Sequence, residues 1–230
     1  MNIIIKGNSL IELKLIANNS VDLVITSPPY NKNYWLRNKH QKGKRIINYE
    51  GFNDSLDPTE YINQQREILK ELIRIIKPTG SIFYNHIDIF HKLNTIHPSY
   101  VYEFPLKQII IWDRGNTPKL DKSYFLPTTE YIFWLKKDFN AKPYFNKSLA
   151  FHNKNIWRIN KEKKNIGHPA PFPEELVNNI ILSCSKETDL ILDCYMGSGT
   201  TAVCAKNNNR NYIGIEQSQE YIDICNKRLI

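Results

Sequence analysis

Two short stretches carry residue types whose spacing could do chemistry. The first is Thr26–Ser27–Pro28–Pro29–Tyr30, directly after the apolar run Val21–Ile25. Proline has no N–H and a fixed φ, and the residue before each proline is pushed out of the helical region. A strand ending here stops at a stiff, extended corner whose carbonyls cannot feed a ladder. The Ser27 hydroxyl and a proline carbonyl are then two acceptors beside the aromatic face of Tyr30. That set suits a planar group with an exocyclic NH₂. Such an amine is conjugated and a poor nucleophile. Acceptors that take its hydrogens make the nitrogen more pyramidal and free its lone pair.

The second stretch runs from Leu190 to Glu216: an apolar strand, the turn Cys194–Tyr195–Met196–Gly197–Ser198–Gly199, a helix from Thr200 and Thr201, and a strand ending in an acid. This is the layout of a nucleotide-type cofactor site at the carboxyl ends of parallel strands. Gly197 and Gly199 would let backbone approach a ligand, and Glu216 could accept from ribose hydroxyls. The spacing is not GxGxxG and no GK[ST] follows, which excludes a P-loop NTPase. If both strands belong to one sheet, the two stretches border one crevice.

Together, TSPPY and DCYMGSGTT resemble the S-adenosylmethionine-dependent amino-methyltransferases of DNA. The SPPY motif comes first and the glycine motif about 165 residues later, a permuted order similar to the beta class. "KPTGSIFYNH", "IIIWDRG", "LPTTEYIFWLKK" and "HPAPFPEEL" fit the same family. The resemblance implies that Ser27, Pro28, Pro29 and Tyr30 are catalytic, with Ser27 and the Pro28 carbonyl holding the amine and Tyr30 stacking on a flipped base. It implies a cofactor site made of Thr26, Asp193, Tyr195, Met196, Gly197, Ser198, Gly199, Thr200, Thr201 and Glu216, with His168 and Pro169 closing over it and Asn8 nearby. Three positions depart from the family pattern: Phe172 stands where lysine is common, Cys194 where proline is, and Asn8 where aspartate is.

Cytosine C5 chemistry is set aside, because no Pro-Cys pair occurs. Among such relatives, serine at the motif's first position is associated with cytosine N4 and aspartate with adenine N6. Ser27 therefore favours N4-cytosine, with N6-adenine as the alternative. The resemblance also implies a restriction-modification setting, a homodimer and a possible cognate endonuclease.

Charge points to the same partner. The 230 residues carry a net +8, which suggests a polyanion. Residues 32–45 hold six Lys/Arg and no acid, and residues 136–164 hold nine against Asp138 and Glu162. Double-stranded DNA is expected against Lys32, Tyr34, Trp35, Arg37, Lys39, Lys42, Lys44 and Arg45, and against Lys154, Trp157, Arg158, Lys161, Lys163 and Lys164. Cys184, Cys194, Cys204 and Cys225 form no CxxC pair, which argues against zinc and for buried thiols in a cytoplasmic protein. No signal peptide and no membrane-length apolar run is present, so no membrane partner is expected.

The elements that must position these residues alternate. Strands are expected at "NIIIK", "VDLVIT", "SIFYNH", "LKQIIIWD", "EYIFWLKK", "DLILD" and "NYIGIE". Helices are expected at "SLIELKLI", from Asp57 (N-cap) to a stop at Pro78–Gly80, at "FPEELVNNIILSC", at "GTTAVCAKNN" and at "SQEYIDICNKRL". Ile62, Leu69, Leu72, Ile73 and Ile76 would form the apolar stripe of the long helix. The expected fold is a doubly wound, mostly parallel α/β sheet with helices on both faces, Rossmann-like with permuted motif order. One catalytic domain would span residues 1–230, with an inserted loop at 31–57 and a target-recognition region at 138–167.

Overall fold

The computed structural model describes residues 2–32, 34, 54–91, 94–115, 125–162, 167 and 170–230. The strands are β1 (Asn2–Lys6), β2 (Val21–Thr26), β3 (Ile76–His86), β4 (Ile89–His91), β5 (Asn94–Ile96), β6 (Leu106–Asp113), β7 (Thr129–Leu135), β8 (Ile156–Arg158), β9 (Leu190–Asp193) and β10 (Asn211–Glu216). The α-helices are α1 (Ser9–Glu12), α2 (Pro58–Ile75), α3 (Glu174–Cys184), α4 (Thr200–Asn207) and α5 (Gln219–Arg228). Eight strands form one sheet in the order β1-β10-β9-β2-β3-β7-β6-β8, and β4 pairs antiparallel with β5. In the large sheet β7 alone among the described strands runs against its neighbours.

Strand alternation divides the core in two. Leu23 and Ile25 of β2 pack with α3, α4 and α5 through Leu176, Val177, Ile180, Ile181, Ala202, Ala205 and Ile222. Val24 faces the other way, toward Ile68, Leu69, Leu72 and Ile75 of α2. Helices thus cover both faces, as a buried parallel sheet requires.

Two connections set the position of the site. From β2 the chain passes through α2 to β3, on one side; from β9 it passes through α4 to β10, on the other. The direction of winding reverses between β2 and β9, and a crevice opens beyond their carboxyl ends.

Several local expectations need correction. Asp57 does cap α2, accepting from Thr59 N at 2.9 Å. The helix then ends at Ile75, and β3 begins immediately and runs through Pro78 and Gly80. Pro78 is tolerated because the pairing of β2 with β3 jumps from Val21↔Ile76 to Leu23↔Ser81, so residues 77–80 need no ladder. The buried face of α2 is Tyr61, Gln65, Ile68, Leu69, Leu72 and Ile75; Ile62 and Ile73 are half-buried. The helix after β1 is short, giving way to a 3₁₀ turn at Leu13–Leu15. The region 138–167, in which no strand or helix is expected, contains β8. All four cysteines are free and buried.

Candidate active site

The corner after β2 and the turn after β9 line a single cavity of about 290 Å³. Ser27, Pro28, Pro29 and Tyr30 border it on one side. Asp193, Cys194, Tyr195, Met196, Gly197, Ser198, Thr200 and Thr201 border it on the other, with Glu216 from the end of β10.

Asp193 ties the two halves together. Its Oδ1 accepts from Thr26 Oγ1 at 2.9 Å and from Tyr195 N at 3.1 Å, and its Oδ2 from Thr201 Oγ1 at 2.7 Å. Burial pushes its pKa up to about 6, against these hydrogen bonds, which pull it down. Thr26 is fully buried behind the cavity wall and acts on Asp193. Glu216 accepts three backbone amides: Gly197 N at 2.8 Å on Oε2, and Gln217 N at 2.8 Å and Ser218 N at 2.9 Å on Oε1. A carboxylate has about four lone-pair sites, so Oε2 keeps one.

The second glycine of the turn has a different task from the one expected. Gly199 does not line the cavity. It sits at φ +80°, where a Cβ would fall on Cys225 Sγ, so its bareness lets α5 pack against the turn. Asn8 also stays outside the cavity; its side chain caps α1 by accepting from Leu10 N at 2.9 Å. The neighbouring Ser9 lines the cavity and donates to the Cys194 carbonyl.

The corner is held from behind. His86 Nδ1 lies 2.9 Å from both Ile87 N and the Ile87 carbonyl, and its Nε2 lies 2.9 Å from Tyr61 Oη; because Tyr61 gives its own proton to Pro29, Nε2 is the donor in that contact. Tyr61 Oη in turn donates to the Pro29 carbonyl at 2.8 Å. Burial pushes His86 down to about 4, which keeps the ring neutral. The inserted segment leaves and rejoins at the corner, where the Asn31 side chain bonds both backbone groups of Leu56 at 2.8 Å.

Several liners lie in family-like stretches but were assigned no site role: Asn85 at the end of β3, Trp112 and Arg114 at the end of β6, Glu130 at the start of β7, and Phe172. Their shared signal is position. Each of the first four lies at the sheet edge that carries the carboxyl ends of β2 and β9, and β7 contributes its amino end because it is reversed. Phe172, in the place where relatives often have lysine, packs beside Trp112 with ring centroids 6.3 Å apart.

The predicted basic surface divides. Lys32 and Lys161 line the cavity, and burial lowers the pKa of both. Lys32 Nζ lies 4.8 Å from the Tyr30 ring centroid. Tyr34 is half-buried, its N–H donating to the Asp54 carbonyl at 3.3 Å. Arg158 is exposed beside Asp113 at the same edge. Trp157 is corrected: it is 5% exposed, packs in the core, and donates from Nε1 to the Lys154 carbonyl at 2.8 Å, so its ring is not free to meet DNA. Lys154 is exposed but precedes β8, on the side away from the cavity. The stretch 138–151 is likewise remote: Tyr144 N donates to the Thr79 carbonyl at 2.8 Å, at the amino end of β3. Trp35, Arg37, Lys39, Lys42, Lys44, Arg45, Lys163, Lys164, His168 and Pro169 lie outside the described residues.

Residues 21–227 match the N6/N4 methyltransferase family, described as DNA methylase. The chain belongs to this family. A type II methyltransferase of Haemophilus influenzae, M.HinfI, is 33% identical over 100% of this chain and 68% of its own length. Another, M2.LlaDCHI of Lactococcus lactis subsp. cremoris, is 31% identical over 99% of this chain and 88% of its own. Among solved structures, the cytosine-N4-specific PvuII DNA methyltransferase superposes with a TM-score of 0.76 at 22% identity, over 99% of this chain and 86% of that one. A putative DNA modification methylase of Thermus thermophilus, crystallised with S-adenosylmethionine, superposes with a TM-score of 0.73 at 19% identity, over 100% and 93%. The family is S-adenosylmethionine-dependent, and its Rossmann-like fold is the one described above. No described helix is long and apolar enough to cross a membrane.

Proposed function

We propose that this chain methylates the exocyclic amine of a base flipped out of duplex DNA, and that the base is cytosine, at N4. The observation that carries the reading is the shared cavity: an acceptor-bearing corner with an aromatic ring faces a glycine turn with a free carboxylate lone pair.

The residues on the turn side fit S-adenosylmethionine. Asp193 and Glu216 bring negative charge to a cavity that would receive a cationic sulfonium and ammonium, and Glu216 Oε2 retains an acceptor site for a ribose hydroxyl. Ser9, Phe172 and Tyr221 complete that wall. When bound, the cofactor supplies an electrophilic methyl group. The chain's own work is on the amine: the corner holds its hydrogens, so the nitrogen lone pair is available, and Tyr30 offers its ring to the flipped base. The His86–Tyr61–Pro29 relay keeps the corner from relaxing. Lys32, Arg158 and Lys161, at the cavity edge, would neutralise phosphates around the extruded nucleotide.

Cytosine is favoured because the first residue of the motif is the neutral Ser27; adenine N6 remains the alternative, since the same pocket chemistry serves both amines. Pairing with an endonuclease in a restriction-modification system fits the type II relatives. The test is methyl incorporation. Incubated with methyl-labelled S-adenosylmethionine and equal masses of mixed-sequence duplex DNA, RNA and protein, the enzyme should label the DNA. Label confined to RNA or protein, or none at all, would refute the reading.

A further inference from the structure

Glu130 lies in the family-like stretch LPTTEYIFWLKK with no role assigned to it there, yet it is 7% exposed and borders the cavity. Arg114 Nη1 donates to its Oε1 at 2.7 Å, while Arg114 Nε and Nη2 donate to the Thr128 and Pro127 carbonyls at 3.3 and 2.8 Å. The other oxygen, Oε2, receives Asn85 Nδ2 at 2.6 Å and Tyr30 Oη at 3.2 Å.

A carboxylate only accepts, and two directions follow. Asn85 must turn its nitrogen toward Glu130; its second N–H goes to Tyr30 Oη at 2.6 Å. The Asn85 amide is therefore not free to flip, and its Oδ1 is left buried with no hydrogen-bond partner. Tyr30 must give its one proton to Glu130. The 2.7 Å bond between Tyr30 Oη and Ser27 Oγ is then one in which Ser27 donates. With its proton committed, Ser27 Oγ has only lone pairs to offer a ligand.

We propose that Glu130 is a positioning residue that, through Tyr30, fixes Ser27 Oγ as the acceptor for one hydrogen of the substrate amine, beside the Pro28 carbonyl that takes the other. The inference rests on the proposed amine methylation and deepens it. It accounts for a carboxylate held beside a corner whose own acceptor is a neutral serine: the charge sets the polarity of the pocket at one remove.

Glu130→Gln tests it, because a glutamine can donate to Asn85 and to Tyr30 and so releases both directions. The target site is first mapped with the wild-type enzyme. Duplexes then carry either the target base or its amine-free counterpart, 2-pyrimidinone for cytosine or purine for adenine. Affinity is read with S-adenosylhomocysteine present, and the single-turnover rate with S-adenosylmethionine. The wild type should prefer the amine-bearing duplex by at least about tenfold. E130Q should bring that preference below about twofold and slow transfer about 100-fold, with S-adenosylhomocysteine affinity kept within about twofold. A variant that weakens both duplexes equally and keeps the preference would show a merely structural Glu130 and overturn the proposal. If E130Q does not fold, Tyr30→Phe removes the same hydroxyl link and leaves the Arg114–Glu130 pair; an undiminished amine preference there also overturns it. A wild type that transfers no methyl to DNA would refute the proposed function before any variant is made, and this inference with it.

Discussion

Replacing Gly199 with alanine tests how the glycine turn is built. The residue sits at φ +80°, and an added Cβ would fall on Cys225 Sγ and lie 2.8 Å from Cys225 Cβ. Forcing a side chain into the left-handed region costs about 1–2 kcal/mol. Overpacking a tight contact adds about 1–3 kcal/mol. The expected destabilisation is thus about 2–5 kcal/mol. Cys225 is completely buried on α5, so much of the steric part belongs to its sulfur. In a Cys225→Ala background the sulfur is gone, and G199A should cost about 1 kcal/mol less or better. Urea unfolding of wild type, both single variants and the double variant gives the coupling directly. Additivity within about 0.5 kcal/mol would refute the claim that Gly199 is bare in order to seat α5.

Below pH 6.5 the unfolded chain protonates His86 while the fold resists until about 4, so stability falls across that window by about 3 kcal/mol; Asp193, raised to about 6, binds its proton earlier in the fold and offsets the loss, so urea unfolding of Asp193→Asn should show a steeper decline from pH 6 to 4 than wild type, and an equal slope would contradict the assignment. Glu216→Ala should weaken S-adenosylmethionine binding by about 10–100-fold in calorimetry, and an unchanged Kd would remove Glu216 from the cofactor site. Trp157→Ala should cost about 3–5 kcal/mol of stability as a core deletion, read by urea unfolding, with the salt slope of DNA binding unchanged. Lys161→Ala should reduce that salt slope by about 1 with little loss of stability; an unchanged slope would move the DNA face away from the cavity edge.

Much of this arrangement was legible in the residues because it is local. "LKQIIIWD" and "NYIGIE" are strands with the bounds the pattern predicts, and Asp57–Pro58 starts α2 as capping chemistry requires. The crevice followed from two strand ends and one topological rule. What stayed hidden depends on neighbours distant in sequence. Pro78 reads as a helix stop, yet it lies in a strand because β2 offers no pairing opposite it. Trp157 reads as a groove-filling aromatic in a basic stretch, but β8 adds to the sheet edge and turns the ring into the core. Glu130 and Arg114 lie in family-like stretches whose role the sequence does not give; the reversal of β7 brings the start of that strand to the carboxyl ends of the others. Gly199 was legible as necessary and misread in purpose, since its crowding partner is 26 positions later on α5.

The most direct test of the central claim is the identity of the methylated nucleoside. DNA treated with the enzyme and methyl-labelled S-adenosylmethionine is digested and the labelled nucleoside identified by mass spectrometry. The account predicts N4-methylcytosine. N6-methyladenine would preserve the amine chemistry and contradict the assignment of the base to Ser27, and 5-methylcytosine would contradict the amine pocket itself.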